Sequence, residues 1–172
     1  NEHLETVSTK EGLSKLERLE MFKCKLRKFR IPASWTSLQY VNLDSNELEQ
    51  IRFSGALPVL EILMIRGNKL NRFELPEGFK SLSQLYLDLN EISALNIKGN
   101  LPELSLFQIR ENKLTEIPIT MLEGSPKLQA LFIGGNNLPE ALQAELNGRE
   151  EENLLPEVLR YQRQMKAGPP QK

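Results

Sequence analysis

The chain has 172 residues, of which 40% are hydrophobic and 26% charged, and its formal net charge is −1. This composition suits one globular domain, and a near-neutral chain has no overall field that would attract nucleic acid or an anionic membrane. No apolar run approaches the roughly 18 residues of a membrane span and no signal-peptide pattern opens the chain, so we expect a soluble protein that binds neither.

Cysteine usage and glycosylation signals bear on the cellular compartment. The single cysteine, Cys24, cannot form an internal disulfide, and the chain has no Asn-x-Ser/Thr sequon. Both features favour a cytoplasmic location in a bacterial or other cell. Because the first residue is Asn1 instead of methionine, we expect the chain to be processed or excised from a longer protein.

Residues 1–15 precede the regular part of the chain. Their apolar residues lie one 22-residue step before the apolar residues Leu26, Phe29 and Trp35. The segment is therefore either the rear half of a further repeat or a degenerate N-terminal capping coil, because terminal repeats are normally atypical. The apolar residues in question are Leu4, Val7 and Leu13.

Residues 16–138 contain a tandem repeat with the pattern LxxLxLxxNxL. Five copies begin at intervals of 22, 22, 22 and 24 residues, and a sixth copy from Leu16 has Cys24 in the asparagine position. A period of this length indicates a solenoid in which each repeat forms one coil. The five copies begin at Leu38, Leu60, Leu82, Leu104 and Leu128.

Each copy predicts a strand followed by a turn. The apolar positions of LxxLxL alternate as a half-buried strand requires, so stacked copies should form a parallel sheet. Asparagine amides at the turn can donate to and accept from backbone groups of neighbouring coils. Cys24 fits the same position as a small buried residue, and a reactive thiol is the alternative. The asparagines are Asn46, Asn68, Asn90, Asn112 and Asn136.

A second apolar pair follows each asparagine and predicts a short extended segment on the return side of the coil. Prolines in the intervening stretches leave no room for a full helix there, so we expect extended turns or 3₁₀ pieces. A basic cluster at residues 23–30 is interpreted as a solvated turn face. The apolar pairs are Phe29 and Ile31, Ile51 and Phe53, Phe73 and Leu75, Leu95 and Ile97, and Ile117 and Ile119.

Residues 139–168 predict two helices. Pro139 at the start of the first segment and Gly148 at its end fit a short helix. The second segment carries an apolar stripe that either seals the last coil as a helical cap or leads into a following domain. Residues 169–172 are expected to be a flexible tail. The stripe consists of Leu154, Val158, Tyr161 and Met165.

The outward strand positions form columns across the predicted sheet, and these columns contain an apolar and aromatic band. Neighbouring strands lie ~4.8 Å apart, so the side chains should touch and form a patch large enough to indicate a protein partner. Cross-strand packing that merely covers the sheet is the alternative. Alternating acids and bases beside the band can pair laterally and act as a polar rim. The predicted partner-binding residues are Tyr40, Ile62, Met64, Arg66, Tyr86, Asp88, Leu106, Gln108, Arg110 and Phe132.

Residues suited to catalysis are scarce. The one histidine, His3, lies near the chain end, and no cysteine–histidine or metal-ligand spacing is present. Gly134 and Gly135 lack the lysine and serine or threonine of a phosphate loop. We expect no enzymatic activity, no metal and no cofactor.

The repeats resemble those of the intracellular leucine-rich repeat superfamily. This resemblance implies an α/β fold: a curved right-handed solenoid with a concave parallel β-sheet, a mostly extended or 3₁₀ convex side and a C-terminal helical cap. It also implies a module that binds a protein on its concave sheet. The ending GGNNLPEALQAELNG, from Gly134 to Gly148, is similar to the last coil of bacterial multidomain proteins such as Roco GTPases, with GNNLP in place of GNPLP. The alternative is therefore a regulatory or scaffolding segment that contacts a neighbouring domain of the same chain.

Overall fold

The computed structural model describes residues 13–116, 119–146, 149 and 152–167, and these residues form a parallel-strand solenoid. Each repeat contributes one short strand to a common sheet, and four of the repeats add a second strand on the return side. The strands are β1 (Arg18–Glu20), β2 (Lys28–Ile31), β3 (Tyr40–Asn42), β4 (Gln50–Phe53), β5 (Ile62–Met64), β6 (Arg72–Leu75), β7 (Gln84–Tyr86), β8 (Ala94–Ile97), β9 (Leu106–Gln108) and β10 (Ala130–Phe132). The helices are α1 (Ile119–Glu123), α2 (Glu140–Leu146) and α3 (Leu155–Ala167).

Six strands form one parallel sheet in the order β1-β3-β5-β7-β9-β10. The pairing joins equivalent positions of successive repeats: Tyr40 pairs with Ile62, and Asn42 pairs with Met64. The 22-residue period therefore sets the register, and the predicted parallel sheet is confirmed.

The core lies between the six-stranded sheet and the return side. Because successive strand residues point to opposite faces, the central residue of each three-residue strand points inward. In one coil the apolar residues Leu60, Leu63 and Ile65 have no exposed surface. On the return side, Phe53 packs edge-on against Phe79, with ring centres 5.4 Å apart.

A ladder of buried asparagines closes the turn of each coil. Asn68 accepts a bond from the backbone N–H of Leu48 (3.0 Å) and donates to the carbonyls of Leu43 and Ile65 (3.1 Å each). An unpaired buried backbone group would cost roughly 1–3 kcal/mol, so this position requires a side chain that both donates and accepts. The predicted role of the asparagines is confirmed, and Asn46, Asn90, Asn112 and Asn136 make equivalent bonds.

Cys24 occupies the first position of this ladder. Its Sγ lies 3.3 Å from the carbonyl oxygen of Phe22, and its backbone N–H donates to Asn46 Oδ1 at 2.8 Å. The side chain is only part-buried, whereas the sequence predicted a buried one. The reason is its place in the first described coil, where the neighbouring Leu16 and Met21 are also incompletely covered.

The return side is extended in four coils and helical in one. Strands β2 and β4 pair with each other, as do β6 and β8, so the predicted extended segments are confirmed there. At the fifth apolar pair the prediction is wrong, because Ile119 begins helix α1; Ile117 lies outside the described residues. This is the one repeat interval of 24 residues, and Met121 and Leu122 of the helical turn supply its buried apolar contacts.

Pro76 interrupts the sheet on the return side, where β4 and β6 are not paired. After β4, Ser54 donates its backbone N–H to the carbonyl of Ile31 at 2.9 Å, and Lys98 makes the same bond to Leu75. Pro76 holds the equivalent position in the intervening coil but has no N–H to donate. This missing bond lies at one end of the gap between β4 and β6, and the return side consists of two separate two-stranded sheets.

The C-terminal helix α3 packs against the end of the solenoid. The backbone N–H of Leu154 donates to the carbonyl of Leu131 in β10 at 2.7 Å, and Leu154 and Val158 are fully buried. The predicted stripe is wrong at its end, because Met165 is 65% exposed. The buried side of the helix runs through Gln162 instead.

None of the described helices is long and apolar enough to cross a membrane. Residues 1–12 of the repeat or cap predicted at residues 1–15, and the tail predicted at residues 169–172, lie outside the described residues.

Candidate interaction surface on the six-stranded sheet

The outward side chains of the six-stranded sheet share one surface, which we call the sheet face. Its two columns follow the strand register, and a row of charged residues continues the four central strands into the turn. The ten predicted partner-binding residues all lie here. The columns are Arg18, Tyr40, Ile62, Gln84, Leu106 and Ala130, then Glu20, Asn42, Met64, Tyr86, Gln108 and Phe132; the charged row is Asp44, Arg66, Asp88 and Arg110.

The apolar residues of the sheet face are part-buried. Tyr40, Ile62, Met64, Tyr86, Leu106 and Phe132 all have intermediate exposure. The cover comes from their own neighbours across the strands.

Arginine side chains lie over three aromatic rings of the sheet face. The guanidinium carbon of Arg18 lies 3.6 Å from the centre of the Tyr40 ring. The corresponding distances are 5.1 Å from Arg66 to Tyr86 and 5.4 Å from Arg110 to Phe132. Cation–π contacts of this kind contribute about 0.5–1 kcal/mol at exposed sites. Each one joins two adjacent strands and restricts the ring that it covers.

The tyrosine hydroxyls are also held in place. Tyr86 donates to Gln84 Oε1 at 2.7 Å, and the hydroxyl of Tyr40 lies 3.2 Å from the sulfur of Met64. The hydroxyl of Tyr86 is protonated at neutral pH, and partial burial raises its pKa further above the ordinary value of 10.0. The aromatic residues thus form a connected surface with fixed orientations.

Two aspartates form hydrogen bonds with two of the three arginines that cover the rings, Arg66 and Arg110. Asp44 accepts the backbone N–H of Arg66 at 2.7 Å and its Nε and terminal nitrogen at 2.9 and 2.7 Å. Asp88 accepts the backbone N–H of Arg110 at 2.8 Å and its Nε at 3.3 Å. The predicted lateral pairing of acids and bases is therefore present in the structure.

Asp88 is the most buried of these charged groups. Only 4% of its surface is exposed, and its second carboxylate oxygen, Oδ2, has no hydrogen-bond partner among the described residues. Burial raises the pKa of Asp88, and the hydrogen bonds from Arg110 only partly offset that effect. An ionised Asp88 therefore costs stability, in contrast to an exposed carboxylate.

Three side-chain amides present unpaired donors on the sheet face. The Oδ1 of Asn42 accepts the backbone N–H of Asp44 at 2.9 Å, Gln84 accepts from Tyr86, and Gln108 accepts a longer bond of 3.4 Å from Arg110. The NH₂ groups of these three amides donate to no other described residue. The sheet face therefore offers a ligand neutral hydrogen-bond donors beside its aromatic rings.

Leu89 was not predicted as a site residue. It is 60% exposed and has a left-handed backbone conformation, with φ of 57°. Each described coil has a left-handed residue at this position just before the ladder residue, but elsewhere the residue is polar or glycine: Lys23, Ser45, Gly67, Glu111 and Gly135. In the sequence, Leu89 differs from the other coils by being the one apolar residue at this position, and this difference could have identified it as a candidate site residue.

Leu89 lies at the rim of a shallow groove of about 390 Å³. The groove runs along the end of the sheet face, and its other lining residues include Arg66, Asp88 and Arg110. The charged row and an exposed apolar side chain therefore meet in one depression.

A metal site is not evident on this surface. In the part of the chain that the structure describes, no three His, Cys, Asp or Glu residues are grouped so that they could hold a metal ion.

Comparison with known proteins does not assign the chain. No protein-family model matches it, and no curated protein has a matching sequence. The functional proposal therefore rests on the sheet face.

Proposed function

We propose that this chain is a leucine-rich repeat module that binds a protein partner on its six-stranded sheet, which forms the concave side of a curved right-handed solenoid. The 22-residue period, the parallel coils and the asparagine ladder support the family assignment. The module acts by binding and not by catalysis, without metal or cofactor, in the cytoplasm.

The observation that carries this proposal is the set of three arginine-covered aromatic rings. Tyr40, Tyr86 and Phe132 are fixed by their arginine neighbours before any partner arrives. A side chain that is already ordered loses little conformational entropy on binding, and a few aromatic or arginine anchors dominate the energy of most interfaces. Connected rings and guanidinium groups are the composition expected of such an interface core.

The polar groups of the sheet face indicate which partner groups it would accept. Arg66 is already paired with Asp44, so it needs no counter-charge from the partner. The unpaired donors are the neutral amides of Asn42, Gln84 and Gln108. A protein surface that offers carbonyl or hydroxyl oxygens next to an apolar anchor would satisfy them.

Affinity capture from cell extract tests the proposal. The wild-type chain is compared with a variant carrying Tyr40→Ala, Tyr86→Ala and Phe132→Ala, after circular dichroism has shown that both are folded. A control variant carries Tyr161→Ala and Met165→Ala on α3, outside the sheet face.

The proposal predicts a partner that the wild type and the α3 control retain and the sheet-face variant loses. Equal capture by all three chains would move the site away from the sheet face. Loss only in the α3 control would place it on the C-terminal helix.

A further inference from the structure

Charged residues one repeat apart follow a rule in this protein: they pair with the opposite sign. Arg27 pairs with Glu49 at 2.7 Å, Lys69 with Glu47 at 2.9 Å and Lys113 with Glu91 at 2.7 Å. On the sheet face, Asp44 pairs with Arg66 and Asp88 with Arg110. Such pairs remove repulsion between stacked coils.

Strands β2 and β4 depart from this rule. Arg30 and Arg52 are directly paired positions of the two parallel strands. Among the registered strand positions that the structure describes, this is the one pair in which both residues are charged, and the charges are alike. Like charges directly opposite on neighbouring strands destabilise a sheet. Folding alone gives no reason to keep them.

The two guanidinium groups are held by neutral acceptors. Arg30 donates to the hydroxyl of Ser54 at 2.7 Å. With the amide of Gln50 oriented so that its oxygen faces Arg52, that oxygen accepts from Nε and a terminal nitrogen at 3.2 Å each. Both side chains are thus oriented while their charges remain uncompensated.

Two further cations surround this pair. Lys28 and Arg72 are exposed. Together with Arg30 and Arg52 they form what we call the basic patch. It borders a groove of about 560 Å³, lined by Lys28, Arg52 and Arg72 and also by Glu49 and Glu74. Glu49 pairs with Arg27 and also interacts with the charge of Lys28, so Glu49 and Glu74 each offset part of the positive charge of the groove.

The groove coincides with the break in the return-side sheet. It lies between β4 and β6, the two strands that Pro76 leaves unpaired. Backbone groups along this gap lack a ladder partner and can bond to a ligand. The patch therefore combines oriented guanidinium groups with main-chain hydrogen-bonding capacity.

We infer that the basic patch is a second interaction surface, which binds an acidic polypeptide segment. Guanidinium groups match carboxylates in bidentate geometry, and a segment with spaced acids can meet the arginines while avoiding Glu74. A nucleic acid fits less well. Its continuous phosphate charge would meet Glu74, and no described aromatic side chain lines the groove for base stacking, since Phe29 and Phe73 are buried and Phe53 packs against the core.

Fluorescence anisotropy with a labelled peptide of alternating Glu and Ser tests this inference at low ionic strength. The variants are Arg52→Gln and Arg72→Gln, and the matched control is Arg163→Gln, which removes the same charge from α3. Each patch variant should weaken peptide binding about tenfold, since a charge-assisted hydrogen bond is lost, while the control should bind like the wild type. Arg52→Gln should also leave the urea midpoint unchanged or raise it, because the like-charge pair is gone.

Three outcomes would overturn the inference. Peptide binding that all three variants weaken equally would reflect net charge alone. Binding that no variant affects, or no binding at all, would leave the patch as a solvated surface. The third outcome is that an oligo-dT strand or phosphatidylserine vesicles bind in a way that depends on Arg52 while the peptide does not bind. The partner of the patch would then be a nucleic acid or a membrane and not a polypeptide. The sheet-face variant should bind the peptide normally, so this experiment is independent of the proposed function.

Discussion

The guanidinium carbon of Arg66 lies 5.1 Å from the centre of the Tyr86 ring on the next strand of the sheet. Two nitrogens of the same guanidinium donate to Oδ2 of Asp44 on the preceding coil. One side chain thus couples three successive coils and fixes an aromatic anchor. Lysine cannot make both contacts, because its ammonium has no planar fork.

The first prediction follows from this arrangement. Arg66→Lys should lower the free energy of unfolding by about 1 kcal/mol, since it loses one of the two guanidinium bonds to Asp44 and the stacking on Tyr86. It should also weaken binding of the captured partner, because the Tyr86 ring is no longer held. Urea unfolding and titration of the partner measure the two effects, with Arg163→Lys on the exposed side of α3 as the control. An Arg66→Lys variant with wild-type affinity would show that a fixed ring is not needed.

The asparagine ladder gives a prediction on stability alone. Asn68→Ala removes an acceptor for the Leu48 N–H and donors to two buried carbonyls. We expect a loss of about 2–4 kcal/mol in urea unfolding, because buried backbone groups lose their partners. Asn71→Ala is the control, since Asn71 is exposed on the return side and should change stability by less than about 0.5 kcal/mol. Equal losses in the two variants would contradict the role given to the ladder.

Replacement of Leu89 should affect stability and partner binding in opposite directions. A left-handed conformation costs a residue with a side chain about 1–2 kcal/mol, and glycine avoids most of that cost at a smaller entropic one. Leu89→Gly should therefore stabilise the fold by up to about 1 kcal/mol. Lys23→Gly is a matched control, because Lys23 holds the same position in the first described coil with φ of 55° and does not line the groove.

Both glycine variants should unfold at higher urea concentrations than the wild type. Only Leu89→Gly should bind the captured partner more weakly, because it removes the exposed side chain at the rim of the groove. If both variants retain full affinity, Leu89 is not part of the interface.

Asp88 gives a prediction on pH. Burial raises the pKa of the folded-state carboxyl above its ordinary value of 3.8, so the native state holds a proton that the unfolded state has already lost. The stability that Asp88 contributes is therefore greatest at low pH and falls as the pH rises through the folded-state pKa. In Asp88→Asn this titration is absent.

Urea unfolding of the wild type and of Asp88→Asn over the acid range measures the effect. The free energy of unfolding of the wild type, minus that of the variant, should fall as the pH rises from 3.8 and then level off. A difference that rises with pH would mean that the bonds from Arg110 outweigh the cost of burial.

The periodic features of this fold could be read from the sequence. The 22-residue spacing places Tyr40 beside Ile62 and Met64 beside Tyr86, and the structure has that register. The turn asparagines were also predictable, because the turn needs a side chain that both donates and accepts. Regular spacing determines which residues are neighbours, and this information suffices for strands and ladders.

Features that depend on one coil could not be read in the same way. The position of Arg66 over Tyr86 depends on side-chain torsions, which the sequence spacing does not give. Pro76 was read as a residue that prevents a helix, but its effect on the sheet depends on which backbone bond it replaces. The helix at Ile119 arises where the repeat interval changes from 22 to 24 residues, so the rule from the other coils no longer applied.

Hydroxyl-radical footprinting of the chain with its captured partner tests the central claim most directly. Tyrosine, methionine and phenylalanine side chains report on the sheet face at Tyr40, Met64, Tyr86 and Phe132, and Met165 on α3 serves as an internal control. We predict that the partner protects the four sheet-face residues from oxidation and leaves Met165 unchanged. Protection of Met165 with no change at the sheet face would contradict the account.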